Sequence, residues 1–438
     1  MYRFRPSLLL LAFVLCGLSA SVRADDGTAA ALLDFTKTLR VDYTFAGDTA
    51  SQHIFLSRLH QLEGWAGRRH HLDSLLLRGN GQITLRALPD GADSAGGEGT
   101  VLYRTSFSTL FQEWLTTVEA VSVPRSFENV FLLPMPRVPA TLTVELFDNR
   151  GRVMTSCVHE VRPSDILIAK TPARLPETRM LHRGGTSDEA IDVAIVAEGY
   201  TRPEMADFYQ HAAVAVEQIL AHEPFASLRD RFNFVAVAAE SDESGVSVPR
   251  EGNWRRTAVG SHFDTFYSER YLTTLSLCRL HDLLAGLPYE HIIILANTDT
   301  YGGGGIYNSY TLTTARHKAF RPVVVHEFGH SFAGLGDEYY YDDQYTPMYY
   351  ADVEPWEQNL TTLTRFGDKW EDLLPAGTPR PTPPTSDNAK IGVYEGGGYQ
   401  SKGVFRAYND CRMKTNECPA FCPVCQRAIR RLVDFYTR

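Results

Sequence analysis

The stretch "AIDVAIVAEGYT", Ala190 to Thr201, decides the fold of this chain. It is a continuous apolar run that ends in a glycine turn, the pattern of a strand leading into a new element. Thr201-Arg202-Pro203-Glu204 follows as a capping box, predicting a helix that continues to about His222. Downstream come "FNFVAVAA", then "RYLTTLSLCRLHDLLAGL", read as helical, then "HIIILANT". Strand, helix, strand, helix, strand implies an α/β domain with a mostly parallel sheet.

Upstream the pattern is different. From about Leu39 to Glu160, short alternating segments such as "QITLRAL", "TLTVELFD" and "RVMTSCVHEV" are separated by "GNG", "DGADSAGGEG" and "DNRG". That rhythm predicts an antiparallel β-sandwich. The stretch from Val161 to Thr178 carries three prolines and no clear period, as a linker does. Two later segments read as loops: "LLPAGTPRPTPPTSDNAK" as an exposed excursion and "YEGGGYQSKG" as a flexible glycine turn.

A length of 438 residues exceeds what one growing core accommodates, so two domains are expected. Lys and Arg number 43 against 52 Asp and Glu, a net charge of -9 without long runs of either sign. That balance argues against a nucleic-acid partner. The first residues carry Arg3 and Arg5, an apolar stretch from Leu8 to Leu18, and Val22-Arg23-Ala24 as a small-x-small cleavage site. Residues 1–24 therefore read as a signal peptide, 25–165 as the β-sandwich domain and 166–438 as the α/β domain. The apolar stretch is too short to span a bilayer, and Leu15 beside Cys16 disfavours a lipoprotein. The expectation is a soluble exported protein, periplasmic or extracellular, with no stable membrane insertion.

Chemistry concentrates in "RPVVVHEFGHSFAGLG", Arg321 to Gly336. Pro322 suits a first helical turn and Gly334 and Gly336 suit a helix end, predicting a helix from about Pro322 to Ala333. His326 and His330 then share one face, one turn apart, with Glu327 about 100° round the axis. Two imidazoles on one ion and a carboxylate beside them are what a zinc hydrolase requires. Zinc lowers the pKa of water to roughly 7, and Glu327 is placed to take its proton and pass it to the leaving amine. Gly329 inside the helix costs about 1 kcal/mol relative to alanine, a cost that a close backbone approach explains. For the third ligand, the "GLG" turn favours Asp337, with Glu338, Glu354 and Glu357 as alternatives, the last two from a helix over "DVEPWEQN".

The sequence "HEFGHSFAGLGDEY" resembles the signature of the IgA-peptidase-type zinc metallopeptidases, the igazincins of the metzincin clan. "GYT" at Gly199, "ESGVSVP" at Glu243, "YGGGGIYN" at Tyr301, "EPW" at Glu354 and "FCPVC" at Phe421 are similar to further family landmarks. The resemblance implies a zincin-type catalytic domain with Zn2+ held by His326, His330 and Asp337, and Glu327 as general base. It also implies a methionine turn in "NDCRMKT", with Met413 as an apolar floor beneath the metal. The common metzincin motif has its third ligand six residues after the second histidine. Gly336 stands there, so Asp337 requires a shift of one residue. Many metzincins carry a tyrosine two residues beyond the methionine; here that residue is Thr415, and Tyr408 is the candidate catalytic substitute, with packing as its alternative role.

"YGGGGIYN" lacks the Lys-Ser/Thr of a phosphate loop, and in a peptidase its glycines would let a substrate backbone lie close. Cys411, Cys418, Cys422 and Cys425 crowd near the C-terminus. They admit a structural zinc site, disulfides in an oxidising compartment, or a reactive Cys422 at a helix start. The functional expectation is a zinc endopeptidase acting on a polypeptide or glycoprotein. A cell-surface binding protein and an amidase acting on cell-wall peptides are the alternatives, and the presence of Glu327 weighs against mere binding.

Overall fold

The structure is a computed structural model that describes residues 26–88, 99–173, 175–342, 348–385 and 387–438. The signal-peptide reading falls outside these residues. The described part opens with α1 (Asp26–Ala31) and the strands β1 (Leu33–Gly47), β2 (Gln52–Glu63), β3 (Gly81–Ala87) and β4 (Val101–Phe107). After α2 (Leu110–Trp114) come β5 (Arg125–Pro136), β6 (Ala140–Phe147), β7 (Val153–Val161) and the short β8 (Ala169–Lys170). They form two four-stranded sheets, β5-β1-β2-β8 and β4-β3-β6-β7. Pairing is antiparallel except between β2 and β8, so one strand of the expected linker is tied into the first sheet. On β6, alternate residues Leu142, Val144 and Leu146 are buried, as a strand with one face toward a core requires.

The second half is built on β9 (Thr178–Arg183), β10 (Ile191–Glu198), α3 (Met205–Ala221), β11 (Phe232–Val237), α4 (Leu277–Leu283) and β12 (His291–Ala296). The strands β13 (Gly303–Ile306) and β14 (Tyr310–Thr314) complete a six-stranded sheet of order β13-β14-β12-β10-β11-β9. Its four inner strands are parallel, and both edge strands are antiparallel to their neighbours. The capping box at Thr201 and Glu204 is present and starts the turn that runs into α3.

The continuous apolar run of β10 has a direct cause. Ala194 and Val196 face one core, shared with sandwich residues such as Val41, Phe45 and Leu142. Val193, Ile195 and Ala197 face a second core, shared with Phe208 of α3, Phe328 of α5 (Phe320–Ala333) and Ile429 of α6 (Pro423–Thr437). A strand covered on both faces has no polar side to show, hence no alternation.

Two expectations are corrected. Only Leu277–Leu283 of "RYLTTLSLCRLHDLLAGL" is helical, because Thr273 pairs with His262 as an isolated β-bridge and the β-branched Thr273 and Thr274 sit in extended chain. "YEGGGYQSKG" is a hairpin, not a flexible turn. It belongs to a small sheet in which β15 (Tyr340–Tyr341), β16 (Leu360–Thr361) and β17 (Tyr394–Gly397) all pair with β18 (Tyr399–Arg406). The fold is thus a β-rich N-terminal region followed by an α/β layer, in line with the expected class. Among the described residues, no helix is long and apolar enough to cross a membrane.

Candidate metal centre

Helix α5 ends at Ala333, and Gly334 takes the left-handed conformation at φ 57°, donating back to the carbonyls of Gly329 and His330. That cap turns the chain so that Leu335 and Asp337 come back to the helix. The rings of His326 and His330 stand 4.7 Å apart. Nδ1 of His326 lies 2.9 Å from the carbonyl oxygen of Arg412, and Nδ1 of His330 lies 2.5 Å from that of Leu335. A carbonyl only accepts, so both Nδ1 atoms carry hydrogen and both Nε2 atoms turn lone pairs inward. The two Nε2 atoms are 3.0 Å apart and lie 3.0 and 3.1 Å from Oδ1 of Asp337.

Three acceptors this close repel one another unless a cation joins them. Two imidazoles and a carboxylate suit a divalent metal of borderline softness. With no metal, a proton serves the same need: burial lowers the His330 imidazole, but Asp337 and Glu327 outweigh it and raise it to about 9. Burial also pushes the Asp337 carboxyl up, and the two histidines overcome this and hold it well below the usual carboxylate range. Glu327 lies beside this group, its carboxyl raised by burial against the pull of both histidines. His326, His330, Asp337 and Glu327 line one cleft of about 760 Å³, together with the glycines of β13.

Residues 180–390 and 384–433 match the family model described as IgA Peptidase M64, and residues 33–157 match the one described as Peptidase M64 N-terminus. The chain belongs to the IgA peptidase M64 family. The comparison with individual curated proteins found no match. Membership of M64 makes the chain a peptidase of a metallopeptidase family, with a polypeptide as substrate.

Other residues singled out in this M64 sequence fall in and out of the cleft. Met413 is fully buried, and a Cβ added to Gly329 would lie 2.8 Å from its sulfur, which accounts for a glycine inside α5. Tyr408 does not line the cleft; it packs in the second core, where burial raises its phenol to about 12. Glu354 is not on a helix, because residues 351–359 form turns and bends. It lies 4.0 Å from Lys369 and accepts from the backbone of Arg365 at 3.0 Å. Glu357 does line the cleft and accepts from the Tyr349 hydroxyl at 3.0 Å. Glu338 points away from Asp337, as neighbours in extended chain do, toward Cys425.

Three cleft residues escaped the sequence reading. Tyr399, at the start of β18, donates its hydroxyl to Oδ2 of Asp337, the carboxylate oxygen the histidines leave free. Tyr271 donates to Glu113 of α2, so the N-terminal region supplies part of the cleft wall. Burial pushes the Glu113 carboxyl up to about 7, against the hydrogen bond from Tyr271. The "EGGGY" run was the one available signal for Tyr399, since glycines beside an aromatic allow close backbone approach. Nothing local marks Glu113.

Proposed function

We propose that this M64 peptidase is an exported zinc endopeptidase in which His326, His330 and Asp337 hold the ion and Glu327 is the general base. Residues 25–165 would form the accessory domain and 166–438 the catalytic domain. The observation that carries this reading is the convergence of two Nε2 lone pairs and a carboxylate oxygen within 3.1 Å, with the half-buried Glu327 lining the same cleft. A zinc ion bound there supplies a Lewis acid and lowers the pKa of water to about 7.

The chain's own groups do the rest. Arg412 and Leu335 fix the imidazole tautomers through their carbonyls, and Tyr399 orients Asp337. Glu327, raised by burial, takes the proton of the attacking water and delivers it to the leaving amine as the peptide bond breaks. The edge strand β13 lines the cleft as an extended wall, and its glycines let α5 pack close: a Cβ on Gly303 would meet Glu327 Oε1 at 2.9 Å and one on Gly305 would meet His330 Cβ at 2.8 Å. That extended wall favours an endopeptidase over an amidase for short cell-wall peptides. Export to the periplasm or the medium rests on the N-terminal sequence.

The test is zinc content together with peptide-library cleavage for wild type, Glu327→Ala and Asp337→Ala. Loss of cleavage with zinc retained is expected for Glu327→Ala, and loss of both for Asp337→Ala. Cleavage surviving in Glu327→Ala would remove the general-base role.

A further inference from the structure

A second group of ligand atoms lies behind the first. The Sγ atoms of Cys411, Cys422 and Cys425 and a carboxylate oxygen of Glu338 all lie within 4.8 Å of one another. All four side chains are buried, with Cys411, Cys425 and Glu338 at 0 % exposure and Cys422 at 5 %. We infer that Glu338, Cys411, Cys422 and Cys425 form a second, structural zinc site that braces the floor of the catalytic cleft.

Distances favour a bound ion over a disulfide. Cys411 Sγ and Cys425 Sγ are 3.8 Å apart. Two thiolates on one tetrahedral zinc, with bonds of about 2.3 Å, stand about 3.8 Å apart, whereas a disulfide brings sulfurs to about 2.05 Å. The four ligands come from three places in the chain: Glu338 follows Asp337, Cys411 precedes Met413, and Cys422 and Cys425 open α6 with two-residue ligand spacing.

Glu338 supplies an independent sign. Its Oε1 accepts from Asn359 at 3.0 Å and from the Cys425 thiol at 3.2 Å, while its Oε2 has no partner among the described residues. The guanidinium of Arg406 donates instead to the carbonyls of Glu395 and Gly396. Arg406 acts on Glu338 through space, but no ion pair joins them among the described residues. A fully buried carboxylate with no cation in contact is costly, and three thiols cannot supply one. Zinc supplies it, displacing the thiol protons to solvent. The outer contacts are also in place: the Cys422 N–H donates to Cys411 Sγ at 3.2 Å, and Asn359 holds Glu338. Cys418 stands apart, its thiol 3.4 Å from the Ala420 carbonyl.

The site's place explains its use. Arg412, next to Cys411, orients His326 through its carbonyl, and the Glu338 N–H donates to the Met413 carbonyl at 2.8 Å. A metal there ties α6, the methionine segment and the strand after Asp337 into one unit.

The experiment uses the full chain loaded with zinc and freed of excess. Wild type should hold two zinc ions, Cys418→Ala two, Cys425→Ser one, and the His326→Ala, His330→Ala double variant one. Cobalt(II) in that double variant should give a thiolate-to-metal charge-transfer absorption, which decides the matter even where Cys425→Ser fails to fold. Should the catalytic ligands hold no metal, wild type and the double variant would each keep one ion that Cys425→Ser loses, so the second site stands apart from the first. A double variant without zinc or the cobalt band overturns the inference. So does a disulfide among Cys411, Cys422 and Cys425 in the unreduced protein.

Discussion

Tyr399 reaches Asp337 across 62 residues of chain and donates its hydroxyl to the carboxylate oxygen that the two histidines leave free. Tyr399 holds φ at 68°, a left-handed backbone that a tyrosine adopts only when its surroundings enforce it. Losing this outer hydrogen bond should cost about 10- to 100-fold in metal affinity or activity. Tyr399→Phe is expected to weaken zinc retention against a chelator and to lower kcat, with KM little changed. Unaltered zinc affinity would reduce Tyr399 to a packing residue.

Glu113 joins the N-terminal region to the cleft through Tyr271, and Glu113→Gln tests what that contact contributes. Its carboxyl titrates at about 7 in the fold against an ordinary value of 4.5. A raised carboxyl pKa means the folded protein binds the extra proton. Its contribution to stability is thus complete below pH 4.5 and is lost as pH rises through about 7. Wild type should lose thermal stability relative to Glu113→Gln across that window. Parallel pH–Tm curves for the two proteins would contradict this.

Asp42 gives the opposite sign. Burial pushes its carboxyl up, but His60 and the buried Arg40 outweigh this and hold it at about 2, below the ordinary 3.8. Arg40 donates to both its oxygens, at 2.7 and 3.0 Å. The stabilisation is present above pH 3.8 and is lost as pH falls through about 2. It amounts to roughly 2–3 kcal/mol at about 1.4 kcal/mol per pKa unit. Asp42→Asn should flatten the acid limb of unfolding and destabilise the protein at neutral pH by about 3 kcal/mol, since Arg40 is left short of charge in the interior. Acid and urea titrations check both statements.

Gly329→Ala sets helix propensity against packing. Alanine is worth about 1 kcal/mol over glycine in a helix interior. Its methyl would stand 2.8 Å from Met413 Sδ and 3.2 Å from Phe421 Cε1. Overpacking of that kind costs about 1–3 kcal/mol, so a net fall in Tm is expected. Adding Met413→Ala should recover part of the loss from Gly329→Ala, and a strictly additive double-mutant cycle would deny the contact.

Whatever depends on neighbours along the chain was open to reading. The spacing of His326, Glu327 and His330 follows from 3.6 residues per turn, the stop at Gly334 from its missing side chain, and the capping box at Thr201 from residues three apart. Strand rhythm exposed the sandwich and the parallel sheet for the same reason. Asp337 was within reach because only a short glycine turn separates it from α5. Tertiary structure alone brought Tyr399 to Asp337, Glu113 to Tyr271, and Glu338 to the cysteines in place of Cys418. It also removed Tyr408 from the cleft and turned an expected flexible glycine run into a hairpin. Those contacts join segments tens to more than a hundred residues apart. Periodicity and capping carry no signal over such distances, because the partner of a buried polar group is set by which surfaces pack together.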